Sequence, residues 1–212
     1  MEATDAIRFD FRQMESHDAD DRIGSLGFSA PTLLPTLEGT IAAIDLKPGD
    51  LIVGADGDLL RVVETRLTQS SARQVSLLCS ETGERIVVGA SQMVQCRHFL
   101  TAALFGVYRP IMLAADIASC HGHDPDILDV PLVLPVFETP GLVNVRGYLF
   151  LCPGLSNDAS RIDEERAESG LNTDMHRRPQ FDASEANSHE FCPLLTPLQV
   201  RQLSEAGVLR GS

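Results

Sequence analysis

Tryptophan is absent from this 212-residue chain, aromatic residues make up only 5%, and no apolar run approaches the length of a membrane-spanning helix. Positive charge is also scarce. The chain has 17 Lys and Arg against 30 Asp and Glu, a formal net charge of -13, which repels phosphate backbones and anionic lipid over roughly a Debye length. Nucleic acid and membrane are therefore not expected partners. Five cysteines, Cys79, Cys96, Cys120, Cys152 and Cys192, form an odd set with no Cys-x-x-Cys pair. That pattern favours reduced thiols acting as small buried hydrophobes over a disulfide framework. Met1 to Ala6 has neither the basic start nor the apolar stretch of a secretory signal, so a cytoplasmic location is expected.

What is present suffices for one domain of ordinary size with appended segments. Hydrophobic residues make up 43% and the mean hydropathy is +0.01, which suits an aliphatic core in a soluble protein. Residues 1–24 mix charges with few large apolar side chains and include the acidic run His17-Asp18-Ala19-Asp20-Asp21, the composition of a mobile leader. Residues 25–153 read as a β domain, 154–190 as a flexible acidic linker, and 191–212 as a short C-terminal helix.

Within the β domain, short β-branched and Leu-rich runs flank turn residues. Leu33-Leu34 and Ile41 to Ile44 flank Leu37-Glu38-Gly39-Thr40, while Leu51 to Val53 and Leu59 to Val63 flank Asp56-Gly57-Asp58. Gln74 to Leu78 and Glu84 to Val88 flank Glu81-Thr82-Gly83. Turns at this spacing predict an all-β, mostly antiparallel domain of short strands. Pro131 and Pro135 cannot donate to a ladder, so the strand around Val133 is expected at a sheet edge or interrupted. Ala114 to Ile117 is expected to form a single helical turn, and His121 to Asp129 a polar loop. Near the end, Thr196 suits a helix cap, Pro197 the first helical position and Gly207 the stop. Such a terminal helix docks on its own domain or binds a partner's groove, with Leu198, Leu203 and Val208 as the candidate protein-binding side chains.

Gly27-Phe28-Ser29-Ala30-Pro31-Thr32, followed about twenty residues later by Leu46-Lys47-Pro48-Gly49-Asp50-Leu51-Ile52-Val53, resembles the opening of a Hint domain, the self-cleaving module of inteins and hedgehog-type proteins. The Phe28, Thr32, Leu33, Thr36 and Gly39 pattern and the Asp56-Gly57 turn fit the same resemblance. Val88 to Val94 is similar to the segment carrying that family's Thr-x-x-His motif, Ala114 to Ile117 to its later Ala-x-x-Leu turn, and Val143 to Cys152 to its closing strands. The resemblance spans roughly Gly27 to Cys152 and implies a Hint-like β fold.

The family's chemistry needs a thiol or hydroxyl that attacks the preceding carbonyl, a Thr-x-x-His pair that polarises the peptide and protonates its leaving nitrogen, and in inteins a closing His-Asn. By the resemblance, Gly27 stands in the nucleophile's place, Gly89 and Gln92 in those of Thr and His, and Leu151-Cys152 in that of His-Asn. All three reactive parts are missing in register. The resemblance then implies a catalytically inactive scaffold that binds another protein or takes part in an assembly, with no cofactor. The alternative is an autoprocessing or hydrolytic protein using a repositioned Ser25, Ser29 or Cys152 with His98. A two-residue shift along a strand keeps the face but moves the side chain by roughly 7 Å, too far for intramolecular attack.

Two further constellations have bland readings as well as sharp ones. Cys120, His121 and His123 form the densest run of potential metal ligands, with Cys96 and His98 as a conceivable second pair. Without four convergent ligands they are a solvated loop carrying one half-buried thiol. Asp45, Asp50, Asp56 and Asp58 lack the spacing and closing Glu of a calcium loop, so they are expected to bond to nearby backbone.

Overall fold

The structure, a computed structural model, describes residues 25–68, 72–79, 82–123, 125–128, 130–155 and 192–209. The expected leader at 1–24 and most of the expected linker at 154–190 lie outside the described residues. The strands are β1 (Phe28–Ser29), β2 (Leu33–Thr36), β3 (Gly39–Ala42), β4 (Leu51–Val53), β5 (Leu59–Thr68), β6 (Arg73–Leu78), β7 (Arg85–Gly89) and β8 (Met93–Gln95). Helix α1 (Phe99–Phe105), strand β9 (Ile111–Leu113) and helix α2 (Ala114–Cys120) follow. Strands β10 (Asp126–Ile127), β11 (Leu132–Phe137), β12 (Gly141–Val145) and β13 (Tyr148–Cys152) come next, and helix α3 (Pro197–Glu205) is last.

Every strand pairing between these elements is antiparallel, as the turn spacing predicts. One sheet runs β10-β6-β7-β1-β11-β5-β4-β2-β3 and a second runs β12-β13-β8-β9. The turns between the paired runs use glycine where φ is positive, at Gly39, Gly57 and Gly83, with φ of 132°, 82° and 69°. A side chain would be strained there, and these turns bring β2 to β3, β4 to β5 and β6 to β7 in the registers that the apolar patterns require.

Strand β11 departs from expectation. It sits inside the sheet, between β1 and β5, and all six of its residues are buried. Pro135 is tolerated because β1 spans only Phe28 and Ser29, opposite Val133 and Leu132. By the two-residue alternation of a strand, the Pro135 nitrogen shares a side with the Phe137 N–H, which donates to Pro153 O at 2.9 Å rather than to β5. The missing donor therefore falls just past the end of β1, where no ladder bond is lost.

Helical content also exceeds expectation. The turn expected at Ala114 to Ile117 is a seven-residue helix, and α1 has no counterpart in the sequence reading. The loop expected from His121 to Asp129 contains β10, which pairs with β6. No helix among the described residues is long and apolar enough to cross a membrane.

The core gathers Phe28, Leu34, Ile52, Val62, Val88, Phe137 and Phe150, with Val200 and Leu203 contributed by α3. Phe28 and Phe150 meet edge to face, centroids 5.2 Å apart at 82°. This favourable ring geometry ties β1 to β13 across the two sheets.

The C-terminal segment docks on its own domain. Ile111 N–H donates to Pro193 O at 2.9 Å and Leu195 N–H to Ile111 O at 2.8 Å, so the segment extends the exposed edge of β9 before α3 packs on α2. Thr196 and Gln199 form a reciprocal capping box with Pro197 in the first turn, as the Thr-Pro pattern predicts. Of the three candidate partner-binding side chains, Leu203 is fully buried in the domain's own core and Val208 packs half-buried against it; only Leu198 is exposed. Leu203 and Val208 are thus committed within the chain, because α3 presents its single apolar face to α2.

Candidate functional site

Three chain segments converge on Gln92. It follows β7 through the turn Ala90-Ser91, and its side chain is completely buried. Gly27 N–H donates to Gln92 Oε1 at 2.9 Å, and Gln92 Nε2 donates to Leu151 O at 2.8 Å, with a weaker approach to Met93 O at 3.4 Å. The Phe28–Phe150 contact, one residue along from Gly27 and one before Leu151, holds both backbone groups in place. A primary amide suits this position because it offers both a donor and an acceptor.

The backbone closes around the same point. Gly89 N–H donates to Gly27 O at 2.9 Å, Gln92 N–H to Gly89 O at 2.9 Å, and Ser91 N–H to Ser25 O at 3.1 Å. Gly27 has φ of 110°, and a Cβ there would lie 2.7 Å from Val133 O. A Cβ on Gly89 would lie 1.9 Å from Ser25 O. Neither position has room for a side chain, since neighbouring main chain fills the space that a Cβ would take.

The Gln92 amide can bridge but cannot serve as an acid or base. A glutamine amide does not gain or lose a proton in the working pH range, so it cannot protonate a leaving nitrogen. Its two hydrogen bonds satisfy buried main-chain groups that would otherwise be costly.

The repositioned candidates lie apart. Ser25 Oγ pairs with Ser91 Oγ at 2.9 Å, and Ser29 Oγ with Thr32 Oγ1 at 2.9 Å, both serines buried. His98 is the N-cap of α1: its Nδ1 accepts the Leu100 N–H at 3.2 Å and its ring stacks on Phe99 with centroids 4.7 Å apart. Both of these contacts lie within the first turn of α1 itself. Cys152 is wholly buried in β13, and desolvation pushes its thiol far above the usual range. A thiolate nucleophile needs the opposite environment.

The metal candidates are likewise not assembled. Cys120 ends α2, where desolvation raises its pKa and its thiol meets the Ser204 side chain of α3; His121 caps the helix. Among the described residues no group of three His, Cys, Asp or Glu side chains is arranged to hold a metal ion. Cys96 is buried, and desolvation pushes its thiol up to about 11. With Cys79, Met112, Tyr148 and, from the C-terminal segment, Val208 and Leu209, it walls a cleft of about 160 Å³.

Of the turn aspartates, Asp50 bonds nearby backbone as expected, whereas Asp56 pairs with a side chain distant in sequence. Asp50 Oδ2 accepts the Lys47 N–H at 2.8 Å and fixes the Pro48-Gly49 turn. Asp56 takes a two-pronged bond from Arg97, at 2.5 and 2.8 Å, which holds its carboxyl below the ordinary value despite desolvation.

Sequence reading placed Gln92 in the site by its offset from Gly89 but missed its role. The signal was available in the residue type, since a buried glutamine must find both a donor and an acceptor.

No family model and no curated protein matches the chain. Among solved structures it is similar to the MchDnaB-1 intein, at 18% identity over 58% of this chain and 98% of that one, with a TM-score of 0.40. It is also similar to a bacterial intein-like domain from Clostridium thermocellum, at 15% identity over 60% and 98% with a TM-score of 0.40. A third is the gp41-1 intein, at 12% identity over 58% and 96% with a TM-score of 0.38.

Proposed function

We propose that this chain is a catalytically inactive Hint-like scaffold, a cytoplasmic protein that binds another protein or takes part in an assembly. The observation that carries this reading is the bridge from Gly27 through Gln92 to Leu151. The three places where the resemblance puts reactive groups are joined by buried hydrogen bonds whose worth is structural. Two of those places, Gly27 and Gly89, are also sterically closed.

An interaction role fits what is left. The fold carries exposed Leu198, Phe99 and Tyr108, and the formal net charge of -13 over the whole chain disfavours nucleic acid and anionic lipid as partners. The test is intact-mass analysis of freshly purified protein over days at neutral pH, with and without added thiol or hydroxylamine. A single unbroken mass is expected, and a break beside Gly27 or Cys152 would overturn the reading.

A further inference from the structure

The cleft beside Cys96 joins an apolar interior to a cationic rim. Val94 on β8, Met112 on β9 and Ile117 on α2 are buried and lie at its inner end, while Leu149 on β13 and Val208 beyond α3 line its sides. Its volume of about 160 Å³ is close to that of the roughly 150 Å³ apolar cavity that takes up benzene. Arg97 and Arg146 also line it, with side chains 29% and 33% exposed, and none of the lining residues is a carboxylate.

Arg146 holds its place against backbone strain. Among the described residues it is the one non-glycine with positive φ, 51°, in the turn between β12 and β13, where Asn and Gly are preferred. Strain of this kind collects at ligand clamps. The Arg146 guanidinium pairs with Glu84, and that of Arg97 with Asp56 and Gln95, yet each keeps further N–H donors. Asp56 does not cancel the charge at its end of the rim, because Arg109 acts on the same carboxyl. One carboxylate there faces two guanidiniums, which leaves a positive surplus beside the cleft.

We propose that this cleft binds a small carboxylate with a ring-sized apolar body. The body rests on Val94, Met112 and Ile117, and the carboxylate bridges Arg97 and Arg146. Volume and charge select this class together. A longer chain overfills the space, and an uncharged ring leaves the guanidiniums unused, although their charge-assisted bonds are the stronger polar contact on offer. The cleft shares no residue with the bridge at Gln92, so the inference stands whether or not the chain is a scaffold.

Phenylacetate is the probe, titrated into the full chain and followed by methyl NMR. Shifts of the Val94, Met112, Leu149 and Val208 methyls are expected, with a Kd of about 1 mM or tighter. Benzyl alcohol has the ring without the charge and acetate the charge without the ring, so each should bind at least about fivefold more weakly. Arg146→Asn suits the left-handed turn and should weaken phenylacetate at least about fivefold while leaving benzyl alcohol unchanged. Leu209→Trp, at a half-buried position in the wall, should fill the cleft and abolish binding of both. No methyl shift up to about 20 mM phenylacetate, equal affinity for either analogue, or unchanged phenylacetate binding in either variant would overturn the proposal.

Discussion

The Gln92 side-chain carbonyl accepts the Gly27 backbone N–H at 2.9 Å, across 65 positions of sequence, while the amide nitrogen of the same residue donates to Leu151. One neutral side chain thereby closes the seam between β1, the turn after β7, and β13.

Removing that amide should be costly. Gln92→Leu leaves the Gly27 N–H and Leu151 C=O buried without partners, at about 1–3 kcal/mol each. A total loss of about 2–5 kcal/mol is expected in urea titration. Gln92→Glu adds a sign. The buried carboxylate cannot donate to Leu151, but its protonated form can, so burial raises the folded-state pKa above the unfolded one. The variant should therefore gain stability relative to the parent as pH falls from 7 towards 5. A deficit that stays constant with pH would count against the bridge.

Adding a thiol at Gly27 or a hydroxyl at Gly89 should not produce self-cleavage. Gly27→Cys forces a Cβ to 2.7 Å from Val133 O at a φ of 110°, and Gly89→Thr forces one to 1.9 Å from Ser25 O. Each is expected to destabilise by about 2–4 kcal/mol. Neither should yield a cleaved chain by intact mass. A stable, self-cleaving Gly27→Cys protein would show that the site is open rather than closed.

The docked C-terminal segment should behave as part of the core. Leu203→Ala removes a fully buried side chain and should cost about 2–4 kcal/mol, whereas Leu198→Ala at an exposed position should change stability by less than about 0.5 kcal/mol. Thr196→Ala breaks the capping box and should cost about 1 kcal/mol. Hydrogen exchange of the Val200 and Leu203 amides reports whether the loss is local undocking of α3 or global.

Thiol titration gives a pH test. Below about pH 9 the Cys96 thiol is protonated in both folded and unfolded chains, so it leaves stability unchanged. Between its ordinary value of 9.0 and about 11 the unfolded chain releases the proton while the folded chain keeps it, and stability falls as pH rises. The loss is bounded at roughly 3 kcal/mol, from about 1.4 kcal/mol per pH unit. Cys96→Ala should make this alkaline limb shallower without abolishing it, because burial also raises the Cys152 thiol. In the native protein at pH 8, Cys96 and Cys152 should react with a disulfide reagent only as fast as the chain opens.

The hairpins around Gly39, Gly57 and Gly83 and the capped helix at Thr196 were legible because their signals are local. A glycine that supplies positive φ, or a hydroxyl that caps its own helix, acts within a few residues. The central position of β11 was not legible, since Pro135 reads as an edge signal until β1 is seen to be only two residues long. Helix α1 was not legible because seven residues are too few for a periodic pattern, with Phe105 packed on the core but Phe99 exposed. Whether Leu203 docks on its own domain or in a partner's groove stayed open, because an apolar helical face looks the same from sequence whether its groove belongs to this chain or another.

By itself the sequence determined that positions 27 and 89 offer no side chain, because a group that is missing from the polymer cannot be supplied by folding. Only the tertiary structure decided what became of those positions. Gln92 meets Gly27 and Leu151 across 65 and 59 residues, and such a meeting depends on how two sheets stack, which no local propensity encodes.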